Sequence, residues 1–107
     1  FYRALFTGGV YADPATAEIM LTTIDGAQAL PGASERAMAP GVYRMGIWVT
    51  EVEGYTAYMH TGFFGTLAAY LPELDLAVAA AVNQNQSGSA RRGLTNEAVK
   101  VVAESRE

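Results

Sequence analysis

The sequence predicts an α+β fold in which an antiparallel sheet is flanked by N-terminal and C-terminal helices. Three observations lead to this prediction. Residues 1–41 combine helix signals with a long run of chain breakers, residues 42–83 carry strand-like runs divided by short turns, and residues 89–105 return to a helical pattern. Because helices and strands are segregated along the chain, an antiparallel α+β arrangement is favoured over a parallel sheet with alternating helices.

The chain begins in an apolar segment. Residues 1–6 are predicted to be the end of a helix that Gly8 and Gly9 terminate, because glycine adopts positive φ at little steric cost. The first residue is Phe1, with no methionine before it. We therefore expect this chain to be the C-terminal portion of a longer protein and to pack against the N-terminal part of that protein.

A second helix is predicted over residues 14–24. Asp13 can cap it, and Pro14 suits the first helical position, where a backbone amide needs no partner. The dense glycines and prolines of residues 25–41 then predict a long surface loop. The apolar side chains expected to face inward from the helix are Ile19, Met20 and Ile24.

Strand signals begin after this loop. The pair Glu53-Gly54 supplies a tight turn, so residues 43–61 are predicted to form a hairpin. Residues 66–71 and 74–82 are apolar on both faces, which is typical of central strands that are covered on both sides.

Residues 89–105 are predicted to form an amphipathic helix. Apolar side chains recur there at offsets 0, 4, 7 and 8, which places them on one stripe. Small side chains on one face of the preceding strand would let this helix lie close to the sheet. The stripe consists of Leu94, Ala98, Val101 and Val102, and the small face consists of Ala77, Ala79 and Ala81.

The composition excludes several classes of partner. The net charge of −4 argues against nucleic acid, whose binding depends on clustered lysine and arginine. No apolar run approaches the roughly 20 residues that a membrane-spanning helix needs. Because 50% of the residues are hydrophobic and 17% are charged, the apolar strands of so small a chain are expected to be incompletely covered and to promote self-association.

Complete catalytic motifs are absent from the sequence. It contains no Gly-x-Ser-x-Gly, no His-Glu-x-x-His and no phosphate-binding glycine loop, and His60 is its one histidine. It has no cysteine, which removes a thiolate nucleophile and cysteine-bound metals. We therefore expect no metal, no cofactor and no self-contained catalytic triad.

One segment at the end of the predicted hairpin contains candidate site residues. Residues 59–65 have the sequence Met-His-Thr-Gly-Phe-Phe-Gly. This segment resembles the Lys-Thr-Gly strand of the serine β-lactamase and penicillin-binding protein family, which also uses a Ser-x-x-Lys nucleophile motif and a Tyr-x-Asn or Ser-x-Asn motif. The histidine in place of lysine is similar to the branch of class C β-lactamases, D-alanyl-D-alanine carboxypeptidases and related esterases.

The flanking sequence strengthens the resemblance. Residues 43–48, Tyr-Arg-Met-Gly-Ile-Trp, resemble the family's Tyr-Gly-Leu-Gly-Trp strand, with Arg44 in place of its usual glycine. Residues 72–78 and 82–84 are similar to the family's last two strands. Neither Ser-x-x-Lys nor Tyr-x-Asn occurs in the chain. The resemblance implies that both motifs belong to the N-terminal part.

The resemblance also implies a role for each residue of the motif. Thr61 would donate its hydroxyl to the substrate carboxylate or its equivalent, and Gly62 would let the substrate approach the backbone. Phe63 would offer its main-chain N–H to the oxyanion, and Phe64 would line an acyl pocket. His60 would stand where relatives keep lysine, which makes activity more sensitive to pH. From the residues alone, both phenylalanines also fit core packing and His60 also fits an ordinary strand position.

The predicted function is therefore part of a serine hydrolase that forms an acyl-enzyme. Its partner would be a small-molecule acyl substrate: a β-lactam, a D-Ala-D-Ala peptide, an ester or an amide. By the same resemblance the protein would lie in the periplasm or outside the bacterial cytoplasm. The alternative is a non-catalytic ligand-binding or structural domain that retains the β-lactamase-like fold.

Overall fold

The computed structural model describes residues 1–22, 43–83 and 88–107. The loop predicted over residues 25–41, and Ile24 before it, lie outside the described residues. The elements in chain order are α1 (Tyr2–Phe6), α2 (Ala15–Met20), β1 (Trp48–Val52), β2 (Tyr55–Thr61), β3 (Thr66–Leu71), a 3-10 turn (Pro72–Leu74), β4 (Leu76–Ala81) and α3 (Gly88–Ser105).

The described strands form one antiparallel sheet in the order β1-β2-β3-β4. Helices precede the sheet in the chain and follow it, so the predicted α+β class is confirmed. No helix in the described part of the chain is long and apolar enough to cross a membrane.

The two N-terminal helices begin close to the predicted signals, but α2 ends at Met20 and is shorter than the helix predicted over residues 14–24. Gly8 follows α1 with a φ of +86°, which only glycine adopts readily. The Asp13 carboxylate accepts a hydrogen bond from the Ala15 amide at 3.0 Å, and Pro14 has helical backbone angles. The sequence signals for the start of α2 are therefore confirmed.

The inward face predicted for α2 is wrong. Ile19 is 56% exposed, Met20 is half-buried, and Ala17 is the buried residue of this helix. Successive residues of a helix are rotated by about 100°, so Ile19 lies about 200° around the axis from Ala17. With Ala17 against the protein, Ile19 must point outward.

The hairpin forms at the predicted turn but is shorter than predicted. Glu53 and Gly54 both have positive φ, +50° and +84°, as a two-residue turn between twisted strands requires. β1 begins at Trp48 because a separate turn precedes it. In that turn the Arg44 amide donates to the Ile47 carbonyl at 2.7 Å, and the intervening glycine has a φ of +74°.

β3 and β4 confirm the last two predicted strands, but β4 is not covered on both sides. It lies at one edge of the described sheet, and its alternate residues are exposed. The exposed set is Ala77, Ala79 and Ala81, the small face predicted to carry the C-terminal helix.

α3 packs on the opposite face of the sheet from those alanines. Val99 is fully buried there and packs with Leu71 and Val78 in the main core. The Phe6 ring of α1 covers part of the alanine side, 4.8 Å from Tyr58 between ring centroids. The core therefore lies between α3 and the sheet, as the burial of Ala57, Leu67, Ala69, Leu71, Leu74 and Val99 indicates.

The predicted stripe of α3 is rotated in the structure. Leu94 and Val101 are 57% and 63% exposed, whereas Thr95 and Val99 are buried. The Thr95 hydroxyl donates to the Arg91 carbonyl one turn earlier at 2.8 Å. Because its polar group is satisfied within the helix, threonine can occupy a core position that a count of apolar residues assigns to leucine.

The turn between β3 and β4 is held by α1. Asp75 has a φ of +42°, and its carboxylate accepts hydrogen bonds from both Arg3, at 3.0 Å from Nε, and the Tyr70 hydroxyl, at 3.0 Å. The Arg3 guanidinium and then the Tyr70 hydroxyl hold the pKa of Asp75 below its usual value. These bonds tie the N-terminal helix to the far end of the sheet.

Candidate functional site

The His-Thr-Gly segment lies where β2 extends past its neighbour. The register pairs Trp48, the first residue of β1, with Met59. His60 and Thr61 therefore lie beyond the paired part of β1, while Thr61 still pairs with Leu67 of β3. β2 lies between β1 and β3 along most of its length. Only at this end does β2 have no β1 residue opposite it.

The backbone turns sharply after Thr61. The Gly62 amide donates to the Thr66 carbonyl at 2.9 Å, and the Gly65 amide donates to the Gly62 carbonyl at 3.3 Å. Gly65 is buried and has a φ of +85°. The amide of Val82 binds the Gly65 carbonyl at 3.0 Å, which ties the turn to the end of β4.

Gly62 is crowded by its own turn. A Cβ at this position would lie 2.1 Å from the Thr66 Oγ1 and 3.5 Å from the Thr66 Cβ. No non-bonded carbon approaches an oxygen so closely, so a side chain at position 62 would force the Thr66 hydroxyl out of its present position. Substrate access is thus not needed to explain this glycine, although it is compatible with it.

The two phenylalanines of the turn point into solvent. Phe63 is 95% exposed and Phe64 is 86% exposed, and their rings meet edge to face at 5.2 Å between centroids. The reading of this pair as core residues is therefore wrong. Within the part of the chain that the structure describes, the Phe63 amide meets no hydrogen-bond acceptor.

His60 is held by three neighbours. Its ring stacks on Trp48 with 4.8 Å between centroids, its Nδ1 lies 2.7 Å from the Thr61 carbonyl oxygen, and its Nε2 lies 3.3 Å from the Tyr43 hydroxyl. A carbonyl oxygen only accepts, so Nδ1 carries the proton. In the neutral ring, Nε2 then accepts from Tyr43. Both nitrogens are therefore already engaged in hydrogen bonds.

A cavity of about 240 Å³ lies beside Thr61, between the hairpin and the first turns of α3. Met59 and Leu67 contribute apolar walls, and Thr61 and Asn96 contribute polar groups. Among the described residues the Thr61 hydroxyl has no hydrogen-bond partner, and neither has the buried Nε1 of Trp48, which also lines the cavity. Such a cavity can hold a small ligand that accepts hydrogen bonds.

Arg91 is a residue of this site that the sequence predictions do not include. Its Nη1 donates to the Gly62 carbonyl at 3.2 Å, and its side chain lines the cavity. The signal was available in the helical spacing, because Arg91, Thr95 and Val99 recur at four-residue intervals and share one face. The choice of the Leu94 stripe concealed it.

The five predicted site residues are consecutive at the end of β2 and in the turn after it, but of these only Thr61 lines the cavity, and the Phe63 and Phe64 rings face solvent. No group of histidine, cysteine and carboxylate side chains that could hold a metal ion occurs among the residues the structure describes.

Comparison with known proteins identifies the family. A family model described as Beta-lactamase matches residues 9–102, which is most of the 107-residue chain and includes the whole segment at the end of β2. The chain has no significant match among curated proteins or among solved structures. The extent of the family match is decisive: this chain belongs to the beta-lactamase family.

Proposed function

We propose that this chain supplies the substrate-side strand of a serine hydrolase that works through an acyl-enzyme. The serine of a Ser-x-x-Lys motif outside these 107 residues would attack the substrate carbonyl. The observation that carries the proposal is the Phe63 amide, which meets no acceptor in the described residues and lies in the turn after β2, two residues beyond the cavity-lining Thr61. A free, fixed N–H is what a developing oxyanion requires.

The proposed chemistry places negative charge on the substrate carbonyl oxygen. As the serine oxygen bonds to the carbonyl carbon, the electron pair of the C=O bond moves to that oxygen. The Phe63 N–H then donates to the oxyanion. Removal of one such donor typically slows the reaction by roughly 100- to 1000-fold. The acyl-enzyme forms when the electron pair on that oxygen restores the C=O bond and the C–N or C–O bond to the leaving group breaks, the leaving atom taking the proton that the serine lost. Water or an amine then attacks the same carbon and displaces the serine.

Thr61 and His60 have different roles in this proposal. The Thr61 hydroxyl, which is unpaired within the described residues, would donate to a carboxylate of the substrate. His60 would hold the end of β2 through its bond to the Thr61 carbonyl. A further bond from its Nε2 toward the serine motif would require Tyr43 to release that nitrogen.

The proposed substrates all contain an acyl carbonyl: β-lactams, D-Ala-D-Ala peptides, esters and amides. The His-Thr-Gly segment supports a place in the branch that resembles class C β-lactamases, D-alanyl-D-alanine carboxypeptidases and esterases. The exposed Phe64 ring is available to contact an apolar acyl group of the substrate.

The experiment uses the longer polypeptide of which this chain is proposed to be the C-terminal part and in which the proposed Ser-x-x-Lys motif would lie. Incubation with a penicillin or a p-nitrophenyl ester should add the acyl mass to that serine, as measured by intact-protein and peptide mass spectrometry. Thr61→Val should raise KM for the penicillin, which carries a carboxylate, and leave KM for the neutral ester unchanged. Thr50→Val, which removes another hydroxyl at the cavity, is the matched control. Absence of any acyl adduct contradicts the proposal.

A second candidate function is ligand binding without chemistry. The observation that favours it is the absence of Ser-x-x-Lys and Tyr-x-Asn from the 107 residues. If the reading frame before Phe1 encodes substituted motifs, the same cavity would bind a ligand with no turnover. Saturable heat of binding by calorimetry, without any acyl adduct, would select this alternative.

A further inference from the structure

The peptide group that joins Gly62 to Phe63 is held from one side only. Its carbonyl oxygen accepts two hydrogen bonds, from Arg91 Nη1 at 3.2 Å and from the Gly65 amide at 3.3 Å. Its N–H, on Phe63, meets no acceptor in the described ranges. The C=O and N–H of a trans peptide point in opposite directions, so whatever fixes the carbonyl also fixes the direction of the N–H.

Arg91 reaches this carbonyl from a well-anchored helix. One and two turns further along α3, Thr95 and Val99 are 1% and 0% exposed. No carboxylate of the described residues lies within ion-pair distance of Arg91, so its interaction with Gly62 is not shared with an acidic side chain. A charged donor on a carbonyl polarises the whole peptide group, which makes the N–H at its other end a stronger donor.

We infer that Arg91 is a positioning residue that orients and polarises the Gly62–Phe63 peptide so that the Phe63 N–H is presented as a hydrogen-bond donor. The inference rests on the proposed function, in which this N–H stabilises the oxyanion. Arg91 acts through the peptide group and needs no contact with the reacting atoms. α3 thereby contributes to the site although it carries none of the residues of the His-Thr-Gly motif.

The first test measures the peptide group in this chain by NMR. Arg91→Met removes the donors and keeps an apolar stem, and Lys100→Met removes a cation from the same helix far from the turn. In Arg91→Met the NMR resonances of the Gly62 carbonyl and the Phe63 amide should shift. The Gly65 amide hydrogen should exchange with solvent roughly five-fold faster, as expected for loss of one hydrogen bond. If Arg91→Met disturbs the fold, Arg91→Lys replaces it. Shifts no larger than those of Lys100→Met overturn the inference.

The second test measures catalysis in the longer polypeptide. Arg91→Met should lower kcat roughly ten-fold and change KM less than two-fold, an effect smaller than the loss of a donor itself. Arg91→Lys should recover part of kcat, and Lys100→Met should leave it unchanged. If no acyl-enzyme forms at all, the proposed function fails and the inference fails with it. If acyl-enzyme forms and Arg91→Met has the kcat of Lys100→Met, the inference alone is overturned.

Discussion

The two turns at the ends of β2 use glycine for different reasons. At the β1–β2 turn, Gly54 has a φ of +84°, and a Cβ added there would meet nothing within 4 Å. At the β2–β3 turn, a Cβ on Gly62 would lie 2.1 Å from the Thr66 hydroxyl oxygen. The first glycine is needed for a backbone angle, and the second is needed for space.

The two turns also differ in the elements that they contact. The Glu53-Gly54 turn is exposed to solvent, and its contact with a distant element is the 3.9 Å ion pair of Glu53 with Lys100 of α3. The turn of residues 62–65 is bound to β4 through Val82 and to α3 through Arg91, and it leaves the backbone N–H groups of Phe63 and Phe64 without an acceptor in the described structure. A turn that is set by local rules can be changed freely, whereas a turn that is set by distant elements can present a group for chemistry.

The largest expected effect comes from removing the free Phe63 N–H of the second turn. Phe63→Pro removes this donor, whereas Phe63→Ala removes the ring and keeps the donor. In the longer polypeptide the acylation rate should fall by roughly 100- to 1000-fold for the proline variant and remain within a few-fold for the alanine variant. Stopped-flow acylation by an ester measures both. Equal rates for the two variants would show that this N–H has no catalytic role.

The next effect separates crowding from backbone angle. Gly62→Ala should lower the free energy of unfolding by about 2 kcal/mol, because the new methyl group displaces the Thr66 hydroxyl. In a Thr66→Ala background most of this cost should disappear. Gly54→Ala should cost about 1 kcal/mol in both backgrounds, because its positive φ has no connection with Thr66. Urea denaturation of the six proteins provides the double-mutant cycle, and additivity at Gly62 would refute the crowding argument.

A substitution in the first turn should raise the free energy of unfolding. Glu53 has a φ of +50°, which is unfavourable for glutamate and acceptable for asparagine. Glu53→Asn should raise the free energy of unfolding by about 0.5–1 kcal/mol, even after loss of the 3.9 Å contact with Lys100. A loss of stability on this substitution would mean that the strand connection depends on the glutamate side chain.

The turn between β3 and β4 provides the smallest effect, and it depends on pH. Arg3 and Tyr70 lower the pKa of Asp75, so their stabilisation is present above about pH 4, the usual value for an unfolded aspartate, and is lost as the pH falls through the lower folded value. The urea midpoints of wild type and Asp75→Asn should therefore differ modestly at pH 7 and converge below pH 4. A difference that is constant with pH would exclude the ionised carboxylate as its cause.

Local signals in the sequence were sufficient for the first turn and insufficient for the second. Glu53-Gly54 predicts a hairpin because the requirement for positive φ lies within the dipeptide itself. The reason for Gly62 lies in the side chain of Thr66, and the partner of its carbonyl is Arg91, 29 residues away. The relation of Gly62 to Thr66 has no periodic or compositional signature, and the four-residue spacing of Arg91, Thr95 and Val99 indicates only which face of α3 Arg91 occupies.

The same distinction explains the errors in the helices. The Leu94 stripe was chosen because leucine and valine are apolar, but the residue buried beside Val99 is Thr95, whose hydroxyl is satisfied by the Arg91 carbonyl. The hairpin pattern of residues 43–61 places the His-Thr-Gly segment at a strand end, and β2 does end at Thr61. That pattern could not show that α3 would lie on the face of the sheet away from the β4 alanines.

The most direct test of the central claim observes the Phe63 amide while a tetrahedral adduct forms. An aryl boronic acid added to the longer polypeptide bonds to a nucleophilic serine and mimics the oxyanion. The Phe63 ¹H–¹⁵N resonance should move downfield in proportion to adduct formation, and the Gly54 resonance at the other turn should not move. A complete adduct with an unmoved Phe63 resonance would contradict the account.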